Sequence, residues 1–197
     1  YRESPITLAI LKLFNELEDW ISINHANMPH GAVKAFIFGG CAFHIHTNAR
    51  GSNDIDAEIQ AIQQLQKEDI LLFLENNDVE YMDDNNLETN LEFDSGFNTS
   101  LASIDPDYNE RVIPLIADCI VEVYLVSGLD LAISKLARLS DRDIEDIKES
   151  AINARIKESR SVIMMAESVR ENMAHKHKLG VLRSFDDLAK DPERLLQ

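Results

Sequence analysis

Residues 36–59 read FIFGGCAFHIHTNARGSNDIDAEI. The apolar, β-favouring run that leads into this stretch, Ala32 to Phe38, ends on Gly39–Gly40, which reads as a buried strand closed by a tight turn. CAFHIHTNA, residues 41–49, is predicted to be a helix after that turn, and NDIDAEIQAI, residues 53–62, a second strand. On a strand side chains alternate, so Asp54, Asp56 and Glu58 project from one face while Ile55, Ala57 and Ile59 project from the other.

Working outward, Ser4 and Pro5 open an amphipathic helix with Leu8, Leu11, Phe14, Leu17 and Ile21 on its apolar side. AIQQLQKEDILLFLEN, residues 61–76, is the next predicted helix, with Ile62, Leu65, Ile70, Phe73 and Leu74 toward a core. Residues 75–96 are rich in Asn and Asp and suit a loop or a short hairpin. GFNTSLASI, residues 96–104, follows, and then DCIVEVYLVS, residues 118–127, is a strand candidate because Val121, Val123 and Leu125 alternate with Glu122 and Tyr124. From Asp130 onward the pattern is helical, with Asp130 and Ser140 as caps, Ile152, Ile156, Ile163, Val169 and Met173 on one face, and Gly180 as a stop. The whole reads as one α+β domain with a helical appendage.

Charge is unevenly placed. Of the net −16, the whole excess lies in residues 51–127, which carry eighteen acids and two bases. Such a segment cannot hold a phosphate backbone, because polyanion binding rests on Lys and Arg displacing counterions. Residues 148–183, with eight bases against four acids, offer the alternative surface for RNA. No apolar run approaches the ~20 residues of a bilayer span and no signal peptide is legible, so a cytoplasmic chain is expected. Cys41 and Cys119 sit in apolar stretches without metal spacing and are expected to be buried free thiols.

Two adjacent carboxylates repel, and one pKa rises unless something cationic neutralises them. Two Mg²⁺ ions about 3.5–4 Å apart would do so, activating an attacking hydroxyl and steadying a leaving pyrophosphate. Standing alone, the same Asp-x-Asp is also what a solvated edge strand shows. The glycines add a second element, since a Gly–Gly turn exposes amides at a helix N-terminus that can take a triphosphate. Arg50 and Ser52 lie just before the acids and are candidates for the same phosphates.

FGG followed by RGSNDIDAEI resembles the signature of the nucleotidyltransferase superfamily with the DNA polymerase beta-type fold. LDLAISKLARLSDRDIEDI, residues 129–147, is similar to the helical segment of the AbiEii-type toxin nucleotidyltransferases and their relatives. The resemblance implies a small mixed sheet flanked by helices over residues 1–128 and a helical part over 129–197. It implies that Gly39, Gly40 and Ser52 hold the nucleotide phosphates, that Asp54 and Asp56 bind Mg²⁺, and that Lys135 contacts the triphosphate. A third metal acid is expected on a later strand. Glu122 is chosen, with Asp94 and Asp105 as alternatives. The implied activity is Mg²⁺-dependent transfer of a nucleoside monophosphate from an NTP to a hydroxyl of tRNA or protein, in a toxin–antitoxin or phage-defence setting with an antitoxin partner. An inactive nucleotide-binding or interaction protein of the same fold is the alternative.

Lys135, Arg138 and Arg142 fall at three- and four-residue steps and form a basic stripe on a continuous helix, though Arg138 and Arg142 equally suit a solvated face. Lys135 lies among Leu131, Ile133, Leu136 and Leu139, where a lysine needs a partner, and Asp143 and Asp146 suit orienting such bases or capping a turn. His44 and His46, two apart on a helix, point to different faces and make a poor metal pair. HKHK at 175–178 matches a helix C-terminal dipole, and Met164, Met165 and Met173 suit a packing seam.

Overall fold

The structure, a computed structural model, describes residues 2–48, 52–99, 104–135, 142–143 and 145–146. The chain divides into two compact units, Tyr1–Phe97 with Val112–Leu125, and Asn98–Arg111 with Val126–Gln197.

The first unit begins with α1 (Pro5–Asn24), which has Pro at its first turn and Ser4 at the N-cap position. Ser4 Oγ bonds Thr7 Oγ1 at 2.8 Å rather than a backbone amide. The buried stripe is Ile6, Ile10, Leu13, Leu17 and Ile21, with Phe14 beside it, and Leu8, expected inside, is 54% exposed. Each fully buried side chain of this kind contributes about 1.5–3 kcal/mol. The Glu18 carboxylate accepts from the Ile120 and Val121 amides at 3.4 and 3.2 Å, fastening the helix to the strand that starts there.

Then follow β1 (Val33–Ile37), α2 (Gly39–Thr47), β2 (Asp54–Ile55), β3 (Ala57–Ala61), α3 (Lys67–Glu75), β4 (Val79–Met82) and β5 (Glu88–Phe93). After the second unit's first segment come β6 (Ile113–Ile116) and β7 (Val121–Leu125). The strands form a four-stranded mixed sheet, β3-β1-β7-β6, and a three-stranded one, β2-β5-β4. β1 is antiparallel to β3 and parallel to β7. Val33, Ala35, Ile37, Ile59, Val121, Val123 and Leu125 are buried along one face. The other face carries Lys34, Phe36, Glu58, Glu122 and Tyr124, with Phe36 stacked on Tyr124 at 5.4 Å.

The architecture is α+β, as expected, with small mixed sheets and helices. Three local differences have physical causes. The single strand expected over 53–62 is two strands, because the chain leaves the β2 sheet for the β1 sheet at Asp56. α3 starts at Lys67, with Ile62 and Leu65 already placed in the approach to it. β6 was not anticipated, since its Pro114 removes a backbone donor, which only an edge strand tolerates.

The second unit contains a 3₁₀ turn (Tyr108–Glu110) and α4 (Gly128–Lys135). Ser127, not Asp130, caps α4: its hydroxyl accepts from the Asp130 amide at 3.1 Å and donates to the Asp130 carboxylate. Arg111 forks onto buried Asp130 through Nε and Nη2 and also meets Asp105 at 3.2 Å. The two buried carboxylates thus share one partly exposed guanidinium, and its removal would leave both without their charge partner. The expectations for Arg138, Ser140, residues 152–173, HKHK and Gly180 lie outside the described residues.

Candidate active site

Gly39 opens α2 with φ +60°, a conformation that penalises any Cβ. A Cβ there would overlap the Asp56 carboxylate, and a Cβ on Gly40 would lie 2.5 Å from Ser52 Cβ. The two glycines therefore exist because the Ser52–Asp56 segment crosses directly over the start of α2. The Phe38 amide donates to Asp56 O at 2.8 Å, and the Cys41 thiol reaches Ser52 O and Asp54 O at 3.5 and 3.3 Å.

The first intrahelical bond of α2 runs from Ala42 N–H to Phe38 O, so the amides of Gly39, Gly40 and Cys41 have no helical partner. These donors, with the positive end of the dipole, lie beside the Asp56 carboxylate. The acids are felt locally: the Cys41 thiol is pushed up to about 12, first by burial and then by Asp56 and Asp54. Cys41 is buried and Cys119 half-buried, and both are free thiols, Cys119 also pushed up, to about 11, chiefly by burial.

Thus Gly39, Gly40, Ser52, Asp54 and Asp56 come together. Arg50 lies outside the described residues. Glu122 stands elsewhere. It pairs with Lys34 across β1–β7, while Asp56 is level with Phe38 on the far side of β1, which separates the two by roughly 16 Å at strand spacings. Its carboxylate accepts from the Tyr124 hydroxyl at 2.6 Å and sits 3.9 Å from Lys34 Nζ. That hydrogen bond is the main reason the Tyr124 phenol is pushed up to about 12.

The strand that does run beside the acids is β5, parallel to β2, with Asp54 opposite Glu92 and Ile55 opposite Phe93. The Asp94 amide donates to Ile55 O at 3.1 Å, so Asp94, one of the alternatives to Glu122, follows on the same strand. Asp54, Glu92 and Asp94 are exposed while Ile55 and Phe93 are buried, which puts the carboxylates on one side. Glu92 was missed by sequence reasoning because it lay inside the acid-rich stretch. Its signal is the buried–exposed–buried order of Leu91, Glu92 and Phe93.

In the second unit Lys135 Nζ is 3.1 Å from Asp146, both nearly buried, so the partner that a lysine among leucines requires is that carboxylate. Asp105 is held by Arg111 and by the Asp107 amide.

The carboxylate-only donor set around Asp54 and Asp56 suits a hard cation such as Mg²⁺. Among the described residues, however, no three His, Cys, Asp or Glu side chains are grouped closely enough to hold a metal ion. Among the described residues no helix is long and apolar enough to cross a membrane.

No curated protein matches the chain. A family model described as a nucleotidyltransferase of unknown function (DUF6036) matches residues 9–189. A match over nearly the whole length, on a chain whose glycine turn packs against an Asp-x-Asp segment, means that the protein belongs to that family of nucleotidyltransferases.

Proposed function

We propose that the chain is a Mg²⁺-dependent transferase that moves a nucleoside monophosphate from an NTP to a hydroxyl acceptor. The observation that carries this reading is the Asp56 carboxylate seated on Gly39 at the unpaired amides of α2. A phosphate cradle and an acid that can hold a divalent cation thereby share one place.

In this reading the amides of Gly39, Gly40 and Cys41 and the Ser52 hydroxyl hold the triphosphate, and Arg50 adds a guanidinium. Asp54 and Asp56 hold Mg²⁺, and β5 supplies the third carboxylate from Glu92 or Asp94 in place of Glu122. Bound there, Mg²⁺ would neutralise the triphosphate and lower the pKa of the acceptor hydroxyl. The amides keep the α-phosphorus in reach of the acceptor and offer donors to the charge that develops on its oxygens. The triphosphate contact of Lys135 rests on resemblance alone, and so do a tRNA or protein acceptor, an antitoxin partner and a toxin–antitoxin or phage-defence setting.

The lack of a converged ligand triad among the described residues favours one second reading, a nucleotide-binding protein without transfer activity. Thermal unfolding with Mg²⁺ and each NTP tests the nucleotide site itself. A cognate NTP at about 100 times its Kd should stabilise the fold by about 2.7 kcal/mol, because it binds only the native state. If none of the four NTPs raises the melting temperature, both readings fall.

A further inference from the structure

Within the first unit, the C-terminal halves of α1 and α3 enclose an open groove of about 220 Å³ lined by Trp20, Asp69, Leu72, Phe73 and Asn76. The Trp20 ring lies 5.3 Å from Phe73 and 5.9 Å, edge-on, from His25, which fixes it as a rigid wall. Leu72 is 57% exposed, and Ile23, three residues beyond Trp20 on α1, is 83% exposed. Aromatic and aliphatic side chains thus line a hollow that stays open to water, the usual mark of a docking surface. Its volume falls short of the ~300–1,000 Å³ of a small-molecule pocket, so it suits one anchoring side chain.

The charge around the groove is an independent observation. Asp69 stands in its lining, and Asp19, Glu68 and Glu75 are exposed on the same two helices. The bases of these helices are engaged already, Lys12 with Glu16 and Lys67 with Glu58, each at 3.8 Å. Residues 13–33 and 68–110 contain no lysine or arginine. Neither helix has a basic residue in its last turn, so the negative ends of both dipoles lie at the groove without a cation from their own helix.

We propose that this groove docks a partner protein through a basic amphipathic segment, which seats an apolar side chain between Trp20 and Leu72 and sets arginine or lysine against Asp69 and the two helix ends. An acidic rim repels nucleic acid and the anionic surface of a membrane. It also disfavours a second copy of this chain, because a two-fold interface would bring the same acids face to face. A basic segment removes both conflicts and covers the exposed apolar atoms, with Trp20 as its anchor. The proposal is independent of nucleotidyl transfer.

Trp20 is the one tryptophan of the chain, so its fluorescence reports on the groove directly. The full chain is titrated, without Mg²⁺ or NTP, with a short peptide of leucine and arginine at helical spacing. A saturable change is expected, weakened on the order of tenfold by Leu72→Ser, weakened also by Asp69→Asn and by added salt, and unchanged by Leu87→Ser, an exposed leucine outside the groove. Leu72 and Asp69 are both exposed, so these variants should melt with the parent. Peptides with serine for leucine or glutamate for arginine should bind at least about tenfold more weakly. The proposal is overturned if the leucine–arginine peptide leaves the fluorescence unchanged, if Leu72→Ser binds as the parent does, or if either control peptide binds equally well. It is overturned too if the fluorescence shifts with the concentration of the chain alone, which would make a second copy the occupant. None of these outcomes alters the NTP-dependent melting shift, so failure of the docking groove and failure of the transfer reading are told apart.

Discussion

Gly39 carries two constraints at once, a φ of +60° and the Asp56 carboxylate where a Cβ would stand. Gly39→Ala should therefore cost about 1–3 kcal/mol in denaturant unfolding and push Asp56 from its place, so NTP-dependent stabilisation should fall with it. An alanine variant that keeps both would mean that the turn is not the cradle. His44 gives a pH test. Burial holds its imidazole below the ordinary 6.5, against the opposing pull of Asp84. A depressed pKa means that the unfolded chain binds the proton more readily. The contribution is thus complete above about 6.5 and is lost as pH falls through the lower folded value. Between pH 7 and pH 5 the melting temperature of the parent should drop more than that of His44→Gln, and equal slopes would contradict the assignment. That the glycine turn and the two aspartates lie together was legible from sequence because a turn and a period-two pattern are local. The distance of Glu122 from them was not: alternation along β7 gives the face of a residue, whereas its level against Asp56 depends on pairing with β1, a partner some ninety residues away.

At the scale of elements, the register of β2 against β5 sets Glu92 opposite Asp54, and in the proposed transferase this strand would supply the third carboxylate. Glu92→Gln or Asp94→Asn should lower nucleotidyl transfer by about 100-fold or more while leaving the fold intact, since both side chains are exposed. Glu122→Gln should leave the chemistry within a few-fold, and the opposite ranking would return the third acid to β7. Helix boundaries were partly legible. α1 announced itself through Pro5 and its apolar spacing, yet Leu8 lies outside because the stripe runs Ile6, Ile10, Leu13, Leu17 and Ile21. The hairpin of β4 and β5 was anticipated as one option for residues 75–96, where Asp83 accepts two amides at the turn and Asn86 takes a left-handed φ of +57°. β6 was hidden by Pro114, and the cap of α4 was misplaced by three residues because Ser127 and Asp130 bond each other and either can be read as the cap.

For the molecule as a whole, the central claim is that residues 39–56 of a family of nucleotidyltransferases form the reacting centre in this chain. The α+β class followed from the order of apolar runs and helical spacings, all of which are contained in short windows of sequence. The acceptor does not follow from those windows, because it is recognised by surfaces that distant segments assemble. The direct test is transfer of label from α-labelled NTP to protein or RNA with Mg²⁺, comparing the parent with Asp56→Asn, a change that keeps side-chain volume and removes the charge. The account predicts label incorporation by the parent, at least about 100-fold less by Asp56→Asn, and melting temperatures within a few degrees of each other. Undiminished transfer by Asp56→Asn, in a protein that folds as the parent does, would contradict it.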